Sequence, residues 1–260
     1  MILDEVKEKF IKGIMREEGK RADGRAFDEY RGISIDTAVF PNAEGGAWVK
    51  LGDTQVAAGV KIDLATPYSD RPDEGMLIFN AEFSPLAHPD FTPGRPGENS
   101  IELARVVDRG IRSAESIDVK KLFVEEGKVL GVFVDLYIID HSGNLIDASA
   151  LAAMAALNTA RLPKIEDGAV VYGEYSGKLD VGRSVVTTTF EKIEDQIILD
   201  ANDHEEVASE ARFTLGTGDG DKFASAQKSG NGGFTRKEFE YLLDASLEKG
   251  GELRKLVKVD

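Results

Sequence analysis

Two consecutive apolar segments constrain the fold of this chain more than any other feature. Gly131 to Asp140 is rich in β-branched and large apolar residues and predicts a buried strand, and Ala148 to Ala160, built mainly from Ala, Leu and Met, predicts a buried helix. An interior strand followed by an interior helix needs further layers to cover both. A chain of 260 residues with 42% hydrophobic content can supply them, as one large domain or as two compact halves.

The flanking sequence predicts those layers. From Leu3 to Glu18 the residues Val6, Phe10, Ile11 and Ile14 recur at helical spacing, which predicts an amphipathic helix ending at Gly19. Ile33 to Val39, Gly46 to Leu51, Thr54 to Leu64 and Met76 to Phe83 read as strands, with Gly52-Asp53 as the turn of a hairpin. Ser84 to Gly97 carries many Pro and Gly and predicts a loop, after which Asn99 and Glu102 suggest a capping box for a helix over Ser100 to Ser116. Pro163 is expected to close the Ala-rich helix, followed by a linker near Ile165 to Tyr175. Ser184 to Phe190, Gln196 to Asp200 and Ala211 to Leu215 read as strands. A last helix begins at Thr235, whose spacing to Glu238 fits a capping box, and turns Phe239, Leu242 and Leu243 inward. The order is α+β, with a shorter echo of the first half in the second.

Composition excludes several classes of function. The chain has no Cys, so disulfides and thiolate metal sites are ruled out, and its three His are too scattered to suggest a metal cluster. No apolar run reaches the ~20 residues of a membrane helix, and Met1 leads into Asp4, Glu5 and Lys7 instead of a signal sequence, so the expectation is a soluble, unprocessed, cytoplasmic protein with no membrane partner. A formal charge of −15 repels a polyanion unless positive charge is gathered locally.

Such a gathering occurs in one place. In the stretch Ile101 to Arg112, Arg105, Arg109 and Arg112 fall within roughly 60° of one another on a helix, while Leu103, Val106, Val107 and Ile111 take the opposite side. Like charges at this spacing repel unless something anionic offsets them. One reading is a solvated face paired with Asp108 or Glu102. The other is recognition of phosphate, since guanidinium groups offer planar bidentate donors and the row spans about 10 Å.

Other motifs are less specific. Gly216 to Gly220 resembles a phosphate-cradling loop but lacks the Lys-Ser or Lys-Thr end of a P-loop, and it reads as a turn. Asp219 and Asp221 lack the further ligands of a calcium loop. His88 and His141, beside Pro89 and Asp140, read as surface histidines.

Four segments taken in order resemble the RNase PH family, and within it the non-catalytic type found in the archaeal exosome. They are Arg21-Ala22-Asp23-Gly24-Arg25, the hairpin Gly46 to Thr54, the arginine helix, and the run Gly143-Asn144-Leu145-Ile146-Asp147-Ala148 with the alanines that follow. The resemblance covers nearly the whole chain. It implies an RNase PH-like fold, with a first half like domain 2 of ribosomal protein S5 over residues 1–165 and a smaller α/β half over residues 166–260. It also implies a hexameric ring of three heterodimers with a catalytic RNase PH-like partner, RNA-binding cap proteins, and single-stranded RNA degraded 3′ to 5′ by phosphorolysis. Inorganic phosphate would be used at the partner's site, and this chain would bind no cofactor. By the same resemblance Arg105 and Arg109 hold the RNA backbone, and Arg112 completes the arginine pattern.

Departures from the active members of the family matter as much. Catalytic relatives carry a Gly-Gly-Thr-Arg type phosphate loop where this chain has Gly143-Asn144-Leu145-Ile146, and neither Leu145 nor Ile146 has a side-chain donor to compensate a desolvated phosphate. Asp200 and Glu206 fall about where active relatives use two Asp. With Asp203, Glu205 and Glu210 beside them, they read as a solvated acidic turn leading into a helix, so no residue is assigned a catalytic role. Three functions stay open: an RNA-binding subunit active only in complex, a self-sufficient phosphorolytic ribonuclease, and an architectural ring component without RNA contact.

Overall fold

The computed structural model describes residues 2–37 and 39–258. The first half builds one sheet from β1 (Ile33–Asp36), β2 (Gly45–Leu51), β3 (Thr54–Ala65), β4 (Met76–Phe83), β5 (Phe123–Glu125) and β6 (Lys128–Asp140). Its order is β1-β2-β3-β6-β4, with β5 also on β6, and β4 alone runs parallel to its neighbour. The second half builds β9 (Val185–Ile193), β10 (Gln196–Leu199), β11 (Ala211–Gly218) and β12 (Lys222–Ser229) into an antiparallel sheet of order β10-β9-β11-β12. Between the halves lies a separate hairpin of β7 (Arg161–Glu166) and β8 (Ala169–Lys178). Five helices complete the chain: α1 (Ile2–Glu18), α2 (Glu98–Ser113), α3 (Leu145–Thr159), α4 (Asp203–Ala208) and α5 (Arg236–Val257).

The Ala-rich helix α3 is the centre of the molecule. It packs on β2 and β3 of the first sheet and on β9 of the second, with α2 and α5 beside it. Residues 146–157 of this helix are all buried. Small side chains allow both sheets to approach its axis closely, so Val185, Val186, Leu253 and Val257 of the second half join the same core as Val132, Val134 and Leu136 of β6. On β6, Val132, Val134, Leu136 and Ile138 point inward, while on the other face cover falls from buried Val129 and Gly131 through half-buried Phe133 and Asp135 to exposed Tyr137, so the strand expected to be buried is fully covered on one face.

Several boundaries differ from those expected. The first strand stops at Asp36 instead of Val39, and Ala38 lies outside the described residues. Helix α2 starts earlier than Asn99 and Glu102 implied: Gly97 is its N-cap with no side-chain bond, and the Ser100 hydroxyl donates to the Gly97 carbonyl at 2.9 Å, so no capping box forms there. Helix α3 starts at Leu145, three residues before the expected Ala148, and Asn144 caps it with its side chain accepting from the Asp147 amide. The supposed linker is the β7–β8 hairpin, and the boundary placed between residues 165 and 166 cuts through β7. Pro163 sits inside β7, where the register shifts on both sides of it, so its missing amide breaks no regular ladder.

At the two ends of the chain the buried faces also differ. In α1, Ile11 and Met15 are buried against Ile193, Ile198, Ala201 and Ala208, whereas Val6 and Phe10 stay exposed. The opening helix therefore packs on the second half and not on the first half to which the sequence assigned it. The capping box at Thr235 and Glu238 forms as expected, but Phe239 remains 39% exposed while Leu242 is fully buried.

Candidate nucleic-acid interface

Helix α2 buries Leu103, Val106, Val107 and Ile111 and turns Arg105, Arg109 and Arg112 outward, so the expected face exists. The three guanidinium groups have different surroundings. Arg105 makes no hydrogen bond or ion pair among the described residues. Arg109 donates from Nη2 to Gln227 Oε1 on β12 at 2.7 Å. Arg112 donates to the Leu77 carbonyl at 2.8 Å and pairs with Asp108 at 2.7 Å, so it is tied down on both sides.

Glu102 lies on the same face one turn before Arg105 and accepts from Gln227 Nε2 at 3.2 Å. Gln227 thus joins Arg109 to Glu102, and Glu102 lines a cleft of about 200 Å³ between the two halves. Leu145 and Ile146 line this cleft, together with Phe91, His141, Glu206 and Arg212.

The position expected to correspond to the phosphate loop of active relatives is thus the wall of a real cavity. Gly143 and Asn144 both take positive φ, +90° and +51°, to turn β6 into α3. A Cβ on Gly143 would meet the Asn202 backbone at 2.5 Å, so both its conformation and its space require glycine. At this turn the Asn144 amide donates to Glu206 Oε1 at 2.9 Å, and Arg212 pairs with the same carboxylate at 2.7 Å. An internal carboxylate therefore holds the place where donors converge. Arg212 also donates from Nε to Glu191.

The acidic segment after β10 is solvated only in part: Glu210 is exposed, but Asp200 and Glu205 are buried, contrary to the sequence reading. Asp200 is 0% exposed and accepts from Arg25, from Arg31 and from the Asn144 amide group at 2.8–2.9 Å. Burial alone would raise its pKa, but the hydrogen bonds and charge of Arg31, with Asn144, hold it below the usual carboxylate value. Glu205 is equally buried and forms a two-pronged pair with Arg21 at 2.9 and 2.6 Å. The Arg21-to-Arg25 motif is thus a clamp between the start of the chain and the second half. His141 is likewise no surface residue: it stacks on Phe91 and lies edge-on to His88, and burial lowers its pKa.

Sequence reasoning gave no role to Asp147, Tyr30, Glu191 or Arg212. Asp147 is fully buried with no cation, and it accepts from Tyr30, Asn144, Thr187 and Thr189 at 2.8–2.9 Å. Burial still raises its pKa against those bonds. The bonds fix Asn144, and with it the turn into α3.

Glu191 is 1% exposed, and burial outweighs Arg212 to raise its pKa to about 7. Glu206 then carries the counter-charge of Arg212. A carboxyl whose pKa is higher in the folded state contributes stability below its unfolded value, and that contribution is lost as pH rises towards 7. Denaturant titrations of Glu191→Gln should therefore lack a slope in stability between about pH 4.5 and 7 that the parent protein shows. Parallel curves for the two proteins would contradict this protonation state.

Among the described residues, no helix is long and apolar enough to cross a membrane, and no group of three or more His, Asp or Glu is placed to hold a metal. Residues 29–163 match the 3′ exoribonuclease family, domain 1, and residues 184–249 match domain 2 of the same family. The chain belongs to the RNase PH family of 3′ exoribonucleases. Its relatives in this family include exosome complex component Rrp42 of Thermococcus gammatolerans, 44% identical with 94% of each chain covered. The Archaeoglobus fulgidus protein of the same name is 42% identical over 99% of this chain and 98% of its own. A chain of the Archaeoglobus fulgidus exosome with RNA bound to the active site superposes with a TM-score of 0.93 at 44% identity, covering 99% of this chain and all of that one. A chain of an archaeal exosome core gives 0.88 at 42% identity over 99% and 98%. The RNase PH-like fold read from the sequence is therefore the fold of this chain.

Proposed function

We propose that this chain is a non-catalytic, RNA-binding subunit of an archaeal-type exosome in the cytoplasm. It alternates with a catalytic RNase PH-like partner in a hexameric ring of three heterodimers, beneath RNA-binding cap proteins. Single-stranded RNA is held through its phosphates by Arg105 and Arg109, with Arg112 a weaker contributor because it is tied to Leu77 and Asp108. The partner's site uses inorganic phosphate to cleave the 3′-terminal linkage, and this chain holds no cofactor.

The state of the cleft carries the non-catalytic part of this reading. Leu145 and Ile146 bring no side-chain donor, and the Glu206 carboxylate already takes the Asn144 amide and Arg212. A phosphate entering there would meet the carboxylates of Glu102 and Glu206 with no excess positive charge to offset them. An architectural role without RNA contact is the second reading, favoured by the internal bonds of Arg109 and Arg112.

The purified chain, given single-stranded RNA and inorganic phosphate, should release no nucleoside diphosphate, whereas the mixture with its catalytic partner should. Release by the chain alone would sink the non-catalytic reading. A chain that stays apart from the partner at micromolar concentration by light scattering would sink the ring.

A further inference from the structure

We infer that the cleft beside the arginine face is a subsite for a nucleobase of the bound strand. The inference rests on the RNA-binding reading in one respect only: the base belongs to the strand held by Arg105 and Arg109.

The first argument is continuity. Glu102, Arg105 and Arg109 share one face of α2, and Gln227 links Arg109 to Glu102, which lines the cleft. A strand whose backbone follows this face reaches the cleft about 4.5 Å beyond Arg105, at 1.5 Å per residue of helix.

The second argument is charge. Glu102 and Glu206 face a single Arg212 in the cleft, and the pairing of Glu206 with Arg212 and the Asn144 amide leaves the site with no excess positive charge. A phosphate is repelled there, while a neutral ring with polar edges is not.

The third argument is the match of surfaces. Leu145, Ile146 and the stacked pair of Phe91 and His141 form apolar and aromatic walls. Polar atoms without hydrogen-bond partners among the described residues include Nη1 of Arg212, Nε2 of His141 and the Asn99 amide, all on cleft-lining side chains. Flat apolar walls with donors and a carboxylate at the edge suit a base, and a guanine best, since its N1–H and amino group donate to a carboxylate while O6 accepts from a guanidinium.

The test uses nucleosides, which carry no phosphate and so do not report on the arginine face. Titration of the full chain and of the assembled ring with guanosine, uridine and inorganic phosphate, followed by calorimetry, should give saturable guanosine binding about fivefold or more tighter than uridine, and none for phosphate. Ile146→Trp, which fills the cleft, and Phe91→Leu, which removes the aromatic wall, should each weaken guanosine binding at least tenfold. No saturable nucleoside binding, or binding unchanged in a folded variant of either kind, would overturn the subsite. The Arg105→Glu, Arg109→Glu protein separates the two ideas. If it loses RNA and the parent binds no nucleoside, the subsite falls and the RNA-binding reading stands. If it keeps RNA and the parent binds guanosine, the contacts of Arg105 and Arg109 fall and the subsite stands as a nucleoside site.

Discussion

A ring assembled with Arg105→Glu and Arg109→Glu should bind single-stranded RNA about 10² to 10⁴-fold more weakly than the unmodified ring, taking two hydrogen bonds to charged groups at about 1.5–3 kcal/mol each. Arg105 is the freer of the two, because Arg109 must release Gln227 before it turns to a phosphate. Phosphate contacts carry no sequence information, so the loss should be similar for different RNA sequences. The salt dependence should become shallower by about 0.7 for each phosphate that is no longer neutralised. Degradation should slow as well, since a strand that is not held cannot present its end to the partner's site. Fluorescence anisotropy at several salt concentrations gives both quantities, with mass measurements to confirm assembly. Changing Lys120 and Lys121 is the control; Lys121 is already paired with Asp180 at 2.6 Å. An assembled double-Glu ring that binds and degrades RNA like the parent makes the arginine face structural.

Replacing Asp200 by Asn should destabilise the protein by about 3–5 kcal/mol, because Arg31 loses its ion-pair partner in a site that is largely closed to water, while Arg25 keeps Asp23. For a chain of this size that corresponds to a fall in Tm on the order of 10 °C. The acid limb of the stability curve should change too. The folded state holds Asp200 below the usual carboxylate pKa, so its contribution is present above the unfolded value of about 3.9 and is lost as pH falls through the folded value. Asp200→Asn should therefore flatten acid unfolding below about pH 4 as well as lower the plateau. Thermal melts by circular dichroism decide the matter, and a Tm within about 2 °C of the parent would mean that Arg31 finds another partner.

The parts of the fold legible in the sequence were those where one residue pattern fixes one geometry. The apolar run of β6 and the Ala-rich α3 follow from burial alone, and Thr235 with Glu238 placed the start of α5. The β7–β8 hairpin was missed although Asp167-Gly168 is a strong hairpin signal, and both residues take the positive φ such a turn needs. Pro163 drew the reading towards a linker, because the bulge that tolerates it has no sequence mark. The arginine face was legible as periodicity, but the split between Arg105, Arg109 and Arg112 was not, since it depends on Gln227 and Leu77, far away in the chain. Asp200 and Glu205 looked solvated for the same reason. Their partners Arg21, Arg25 and Arg31 lie more than 160 residues earlier, and only the fold brings them together.

That long-range clamp has a consequence for how the protein comes into being. Residues 2–31 leave the ribosome well before residues 193–208, yet it is there that Ile11 and Met15 find their apolar cover, and Arg21 and Arg31 their buried counter-charges. Loop-closure entropy must be spent before any of these contacts form, so this early segment settles late. During synthesis the nascent chain carries an unsheltered amphipathic helix and arginines without their buried partners until residues 193–208 have emerged, a period in which a chaperone has its best access.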